Sequence, residues 1–178
     1  MQTKQFSSEN VEKFSNQELA DIYESLSPRL FRYAMRLIGD QDHAEECVSE
    51  TFSRFLKAIR NGAGPKDNVQ AYLYRVAHNW ITDYYRKRTP DEVIEERLPA
   101  DASEGPVAVM AKDLERERVR VALLRLPDEQ RMVIVLRFYE EWAHEEIAAA
   151  LGKSLEATRA LQYRAAGSLR KMLIGPEL

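Results

Sequence analysis

The sequence predicts an all-α protein made of two small helical domains joined by an acidic linker. Three observations carry that expectation. Apolar residues recur at spacings of three and four through most of the 178 residues, with no alternating strand and no hairpin signal. Seven Gly and seven Pro are few enough to leave long helical stretches uninterrupted. Charge is also uneven. Residues 1–90 carry 13 Lys/Arg against 12 Asp/Glu and residues 115–178 carry 11 against 10, whereas residues 91–114 carry 2 against 7. The net charge of −3 therefore arises in the middle of the chain.

Residues 1–16 read as a flexible tail. Ser15-Asn16-Gln17-Glu18 has the form of a capping box. It opens a helix whose apolar side is Leu19, Ile22, Tyr23, Leu26, Leu30, Phe31, Ala34, Leu37 and Ile38, with Gly39 as its end. Pro28 either starts a second helix or kinks one. Asp40 or Asp42 caps the next helix, His43 to Ile59. Its buried stripe is Ala44, Val48, Thr51, Phe52, Phe55 and Ile59, and Glu45, Glu46, Ser49, Glu50 and Ser53 face outward. A flexible loop, 61–67, leads through Asn68 into the helix Ala71–Arg88. There Leu73, Val76, Ala77, Trp80, Ile81 and Tyr84 form a core side, while Tyr72, Arg75, Asn79 and Arg86 form another that ends in Arg86-Lys87-Arg88. Aromatic, amide and guanidinium groups on one face stack on bases, bond their edges and neutralise phosphates.

Residues 91–106 read as the acidic linker and 107–178 as the second domain. Val109, Leu114, Val121 and Leu124 mark the inner side of a helix over 107–126. Pro127 opens another, with Val133, Leu136 and Tyr139 inward. A short helix, Glu145–Leu151, then Gly152-Lys-Ser154, then Leu155–Leu173, is the helix-turn-helix pattern. Arg159, Ala160, Tyr163 and Arg164 face outward near the start of its second helix, where base edges are met.

Other classes are disfavoured. Cys47 is the lone cysteine and the three His are scattered, so no disulfide, metal site, catalytic residue or cofactor is expected. No segment approaches the apolar length of a membrane span, which implies a cytoplasmic protein without membrane contact by itself. The chain ends soon after its last helix, so no appended sensory domain is expected. A near-neutral protein should bind DNA weakly alone, because few phosphates are neutralised.

Three segments together resemble one family. Asp42-His-Ala-Glu-Glu-Cys-Val-Ser-Glu-Thr-Phe52 is similar to D-x-A-E-D-L-V-Q-E-T-F. Ala71-Tyr-Leu-Tyr-Arg-Val-Ala-His-Asn79 is similar to W-L-Y-R-I-A-x-N. Leu126-Pro-Asp-Glu-Gln-Arg-Met-Val133, with Glu145-Glu-Ile-Ala148 and Gly152-Lys-Ser154, is similar to L-P-x-x-x-R-x-V…E-E-I-A…G-x-S. In that order they resemble bacterial RNA polymerase sigma factors of the extracytoplasmic-function (ECF) group.

The resemblance implies binding to core RNA polymerase through Glu46, Ser49 and Glu50. It implies capture of the single-stranded −10 element by Asn68, Tyr72, Arg75, Asn79, Arg86, Lys87 and Arg88. It implies reading of the duplex −35 element by Arg159, Ala160, Tyr163 and Arg164, and an anti-sigma factor as a further partner. The sequence departs from the pattern at several places. Tyr72 replaces Trp, Ser49 replaces Gln, Glu141 replaces Gly, and Ala143 replaces a Ser/Thr cap. Glu156 stands at a usual Gly position, and Leu161-Gln162 inverts an Arg-Leu pair, which implies a rotated buried face. The alternative reading is a helix-turn-helix regulator that binds duplex DNA without polymerase.

Overall fold

The computed structural model describes residues 14–88 and 107–175. Most of the expected tail and all of the expected linker lie outside the described residues. Among the described residues seven helices follow one another: α1 Asn16–Ile38, α2 Gln41–Arg60, α3 Val69–Arg86, α4 Val107–Arg125, α5 Asp128–Phe138, α6 His144–Leu151 and α7 Leu155–Ile174. Among the described residues there is no strand.

Local chemistry sets the helix ends. The Ser15 hydroxyl accepts from the Glu18 N–H and the Glu18 carboxylate accepts from the Ser15 N–H, a complete capping box. Pro28 lies inside a continuous α1 and does not begin a new helix. Proline removes one backbone bond there, but buried Leu26 and Leu30 on either side hold both halves to one core. Gly39 closes α1 at φ 71°. Asp40, and not Asp42, caps α2 by accepting from the His43 N–H at 3.0 Å.

The first core joins Leu30, Ala34, Leu37 and Ile38 of α1 to Ala44, Cys47 and Phe55 of α2 and Leu73, Ala77 and Ile81 of α3. Trp80, expected in that core, is only half-buried. It stacks on Tyr84 at 5.6 Å and 12° at the core's edge. Ile59 is likewise half-buried.

In the second half α5 is buried over a run of consecutive residues, Arg131–Leu136. α6 and α7 pack on it, and Arg131 reaches Thr82 of α3 from its other side. Three expectations fail here. Val109 and Leu114 are 52% and 59% exposed, because α4 buries only its C-terminal half, from Arg120 to Leu124. Tyr139 follows the end of α5 and lies under the Arg36 guanidinium at 4.1 Å instead of pointing inward.

Candidate functional site

α2 presents the residues expected to meet polymerase. Glu46 and Ser49 are exposed, and Glu50 is half-buried with its carboxylate 2.8 Å from Arg54 Nε. Ser49 also lines a groove of about 990 Å³ between α1 and α2. The groove walls are apolar, with Tyr23, Phe31, Val48, Phe52 and Leu56 between rims that include Arg32, Glu45 and Ser53. Tyr23 is 52% exposed although its ring meets Phe52 edge-on at 4.8 Å. Sequence reasoning assigned Tyr23 to the core and missed this groove. The available signal was Leu56, an apolar side chain beside the α2 stripe.

α3 carries the second set. Asn68 is its cap: the side-chain oxygen accepts from the Ala71 N–H at 2.9 Å, which fixes the amide and leaves its NH₂ to donate elsewhere. Tyr72 is half-buried, 5.9 Å from Phe55, so one side of its ring is anchored. Arg75, Asn79, Arg86, Lys87 and Arg88 are exposed. Arg86 pairs with Asp83 at 3.3 Å, and Arg88 lies over the Tyr84 ring at 5.5 Å. Of this set, Tyr72 touches Phe55 of the groove wall, while Arg75 donates its Nε–H to the Ala150 carbonyl of α6 at 2.8 Å.

A third side of α3 went unrecognised. Tyr74, His78 and Tyr85 are buried, toward α1 and the second half of the chain. The His78 Nδ1 bonds to the Tyr33 hydroxyl at 2.7 Å. Burial, with the Arg131 cation nearby, lowers the His78 pKa to about 3 and keeps the ring neutral. Burial raises the Tyr33 and Tyr74 hydroxyls well above the ordinary phenol value, and the bond to Glu140 adds to the effect at Tyr74. The Cys47 thiol is pushed up to about 12 by burial, which makes it a core side chain and not a nucleophile.

The helix-turn-helix is built as its residues dictate. Gly152 takes φ 64° at the turn, and the Ser154 hydroxyl accepts from the Ala157 N–H at 3.1 Å to start α7. Ala143 has no side-chain acceptor, but the Glu146 carboxylate still accepts from its N–H at 2.8 Å, so half of a capping box remains. Glu141, where the family pattern has Gly, is held at φ 58°. Thr158, Leu161 and Ala165 are buried on α7, while Arg159, Ala160, Tyr163 and Arg164 are all exposed, Tyr163 at 83%. Leu161-Gln162 therefore leaves the helix unrotated: Leu161 is inward, and Gln162 is half-buried and bonds to His144.

Among the described residues there is no cluster that could hold a metal ion, and no helix is long and apolar enough to cross a membrane. Among the described residues the features are an apolar groove on α1 and α2, aromatic and basic side chains on α3 and a helix-turn-helix.

Comparison with known proteins gives that combination its family. Residues 22–90 match Sigma-70 region 2 and residues 122–171 match Sigma-70, region 4. The chain is 33% identical over 153 residues to the RNA polymerase sigma-E factor of Streptomyces coelicolor, covering 84% of this chain and 82% of that one. It is 26% identical over 175 residues to the ECF sigma factor SigW of Bacillus subtilis, covering 92% of each. Among solved structures, CnrH in complex with the cytosolic domain of CnrY is similar at TM-score 0.64 and 24% identity, covering 92% of both chains. RpoE in complex with the anti-sigma factor NepR, from Bartonella quintana, is similar at TM-score 0.59 and 19% identity, covering 90% of this chain and 99% of that one. The chain belongs to the sigma-70 family of RNA polymerase sigma factors, in its ECF group. It is a factor that binds core RNA polymerase and directs it to promoters.

Proposed function

We propose the following division of labour within the chain. Residues 17–90 act as the polymerase-docking and −10 domain, residues 91–106 as an acidic linker, and residues 107–178 as the −35 domain. Glu46, Ser49 and Glu50 meet core polymerase, with the apolar groove beside Ser49 taking the uncharged part of the contact. Tyr72, Arg75 and Asn79, flanked by Asn68 and by Arg86, Lys87 and Arg88, hold separated −10 bases. Arg159, Ala160, Tyr163 and Arg164 read the −35 duplex.

One observation supports the reading above the others. The Tyr72 ring of α3 rests against Phe55, which lines the groove, so a polymerase bound at the groove brings its DNA near Tyr72. Base stacking on an aromatic ring is worth roughly 1–3 kcal/mol, comparable to the cost of unstacking a base. The α3 side chains alone therefore melt little DNA, and tethering to polymerase supplies the effective concentration they lack. The work is binding and not catalysis, and it is done where bacterial polymerase is, in the cytoplasm. The two similar solved structures are both complexes, one of them with a named anti-sigma factor. An anti-sigma factor is accordingly the proposed regulatory partner.

The test is transcription in vitro. Core polymerase with this protein should start transcripts at specific sites, while the protein alone binds the same duplex poorly. Tight, specific duplex binding without polymerase would overturn the assignment.

A further inference from the structure

We propose that Glu156 is a specificity-determining residue of the −35 contact and selects a cytosine there. This role rests on the −35 reading proposed above for α7. Glu156 is the second residue of α7 and precedes Arg159, Ala160 and Tyr163 by three, four and seven positions. Those spacings place all four on one face of the helix, and all four are exposed. The opposite face is committed to the core through Thr158, Leu161 and Ala165. Gln162 is half-buried and bonded to His144 of α6, which withdraws its amide from the outward face. Glu156 therefore heads the stripe that the −35 reading turns toward base edges, at the end of the helix where such contacts concentrate.

The carboxylate is not spent within the protein. Arg159 stands at a spacing that permits an ion pair along the helix, yet among the described residues Glu156 makes no side-chain hydrogen bond or ion pair. The nearby cation of the turn, Lys153, pairs instead with Glu129 of α5 at 3.1 Å. An ionised carboxylate can only accept hydrogen bonds. In the major groove guanine and thymine present acceptors, adenine sets an acceptor beside its amino donor, and cytosine alone offers only a donor. A carboxylate aimed into the groove thus favours cytosine over the other three bases. Arg159 favours guanine by the converse argument, since a guanidinium only donates. Glu156 precedes Arg159 and Ala160 by about 4.5–6 Å of helix rise, roughly one or two base-pair steps, so the pairs read by the acid and by the guanidinium are close neighbours. The same negative charge also repels phosphates, an effect blind to sequence. Base preference, and not affinity, is therefore the property that identifies reading.

The experiment uses the full chain with core polymerase. A duplex library randomised upstream of a reporter is transcribed, and the templates that yield transcripts are sequenced. The same selection is run with Glu156→Gln and with Arg159→Ala, and circular dichroism checks that both keep the parent's helix content. The parent should select a C·G pair in the −35 region at a position where Glu156→Gln reduces the preference roughly tenfold. Adenine should gain there, because an amide both donates and accepts. Preferences elsewhere should stay as in the parent. A Glu156→Gln selection identical to the parent's at every position overturns the proposal. So does a uniform gain in transcription from all templates without a change of preference, the mark of a charge that only repels phosphates. Where Arg159→Ala shifts a −35 preference and Glu156→Gln shifts none, the −35 reading of α7 stands and the role of Glu156 falls. If neither substitution alters any preference in that region, the −35 reading fails and the role of Glu156 with it.

Discussion

The His78 imidazole on α3 bonds to the Tyr33 hydroxyl of α1 at 2.7 Å, and on its other side the ring faces the Asp128 backbone at the start of α5. The ring is one of the few titratable groups buried between both halves of the chain. It faces Tyr33 from α1 and Arg131 and Asp128 from α5. A neutral ring suits that setting and a charged one does not.

Stability should therefore fall with acid through His78. Its pKa is about 3 in the folded protein against 6.5 ordinarily. The unfolded chain binds the proton first, so the stability held in the neutral ring is intact above pH 6.5 and is lost as pH falls from there toward 3. The slope approaches about 1.4 kcal/mol per pH unit. Urea unfolding between pH 7.5 and 5 should show this loss relative to His78→Gln, which lacks the titration. Parallel curves would mean that the ring is hydrated in solution.

Glu141 sits at φ 58°, where a side chain costs about 1–2 kcal/mol and glycine costs nothing sterically. Glu141→Gly should raise stability by about 0.5–1 kcal/mol after the extra backbone entropy of glycine is subtracted. Thermal melting reads the change, and destabilisation would mean that the carboxylate has a native partner.

The half-built cap of α6 allows a second gain. Ala143→Ser adds the missing acceptor opposite Glu146 and should contribute about 1 kcal/mol. Denaturant midpoints would register it, with the slope unchanged.

Reversing charge on α2 should weaken docking. Glu50→Lys places a cation beside Arg54 and should reduce affinity for core polymerase by up to roughly fivefold, the scale of an exposed ion pair. Equal affinity in a direct binding titration would remove Glu50 from the contact.

On α7, Arg159→Ala should cost about 1–3 kcal/mol of −35 duplex recognition and leave single-strand binding at −10 unchanged. Footprints on a tailed promoter separate the two. Parallel loss of both would mean that the substitution damaged the fold.

Much of this molecule was readable from local residue order. Ser15 with Glu18, Asp40, Asn68, Gly39, Gly152 and Ser154 each fix a helix end through a bond to a backbone group at most four residues away. The exposed strip of α3 and the outer face of α7 follow from helical spacing alone. The failures have one cause. Periodicity reports that a side chain is apolar on one side of its own helix, not whether another helix arrives there. Val109 and Leu114 kept the pattern and stayed exposed, while Tyr74 and His78 lay outside the expected core stripe and were buried.

By itself, then, the sequence determined the helices, their caps, the family and the chemistry of the faces, because these depend on near neighbours. Tertiary structure alone decided that Tyr23 lines an open groove, that α3 has a third buried side, and that the two halves meet. Tyr74 and Glu140 are 66 positions apart. No local pattern encodes a pairing at that separation; it arises only when two independently packed surfaces, each with aromatic and polar groups to satisfy, are brought face to face.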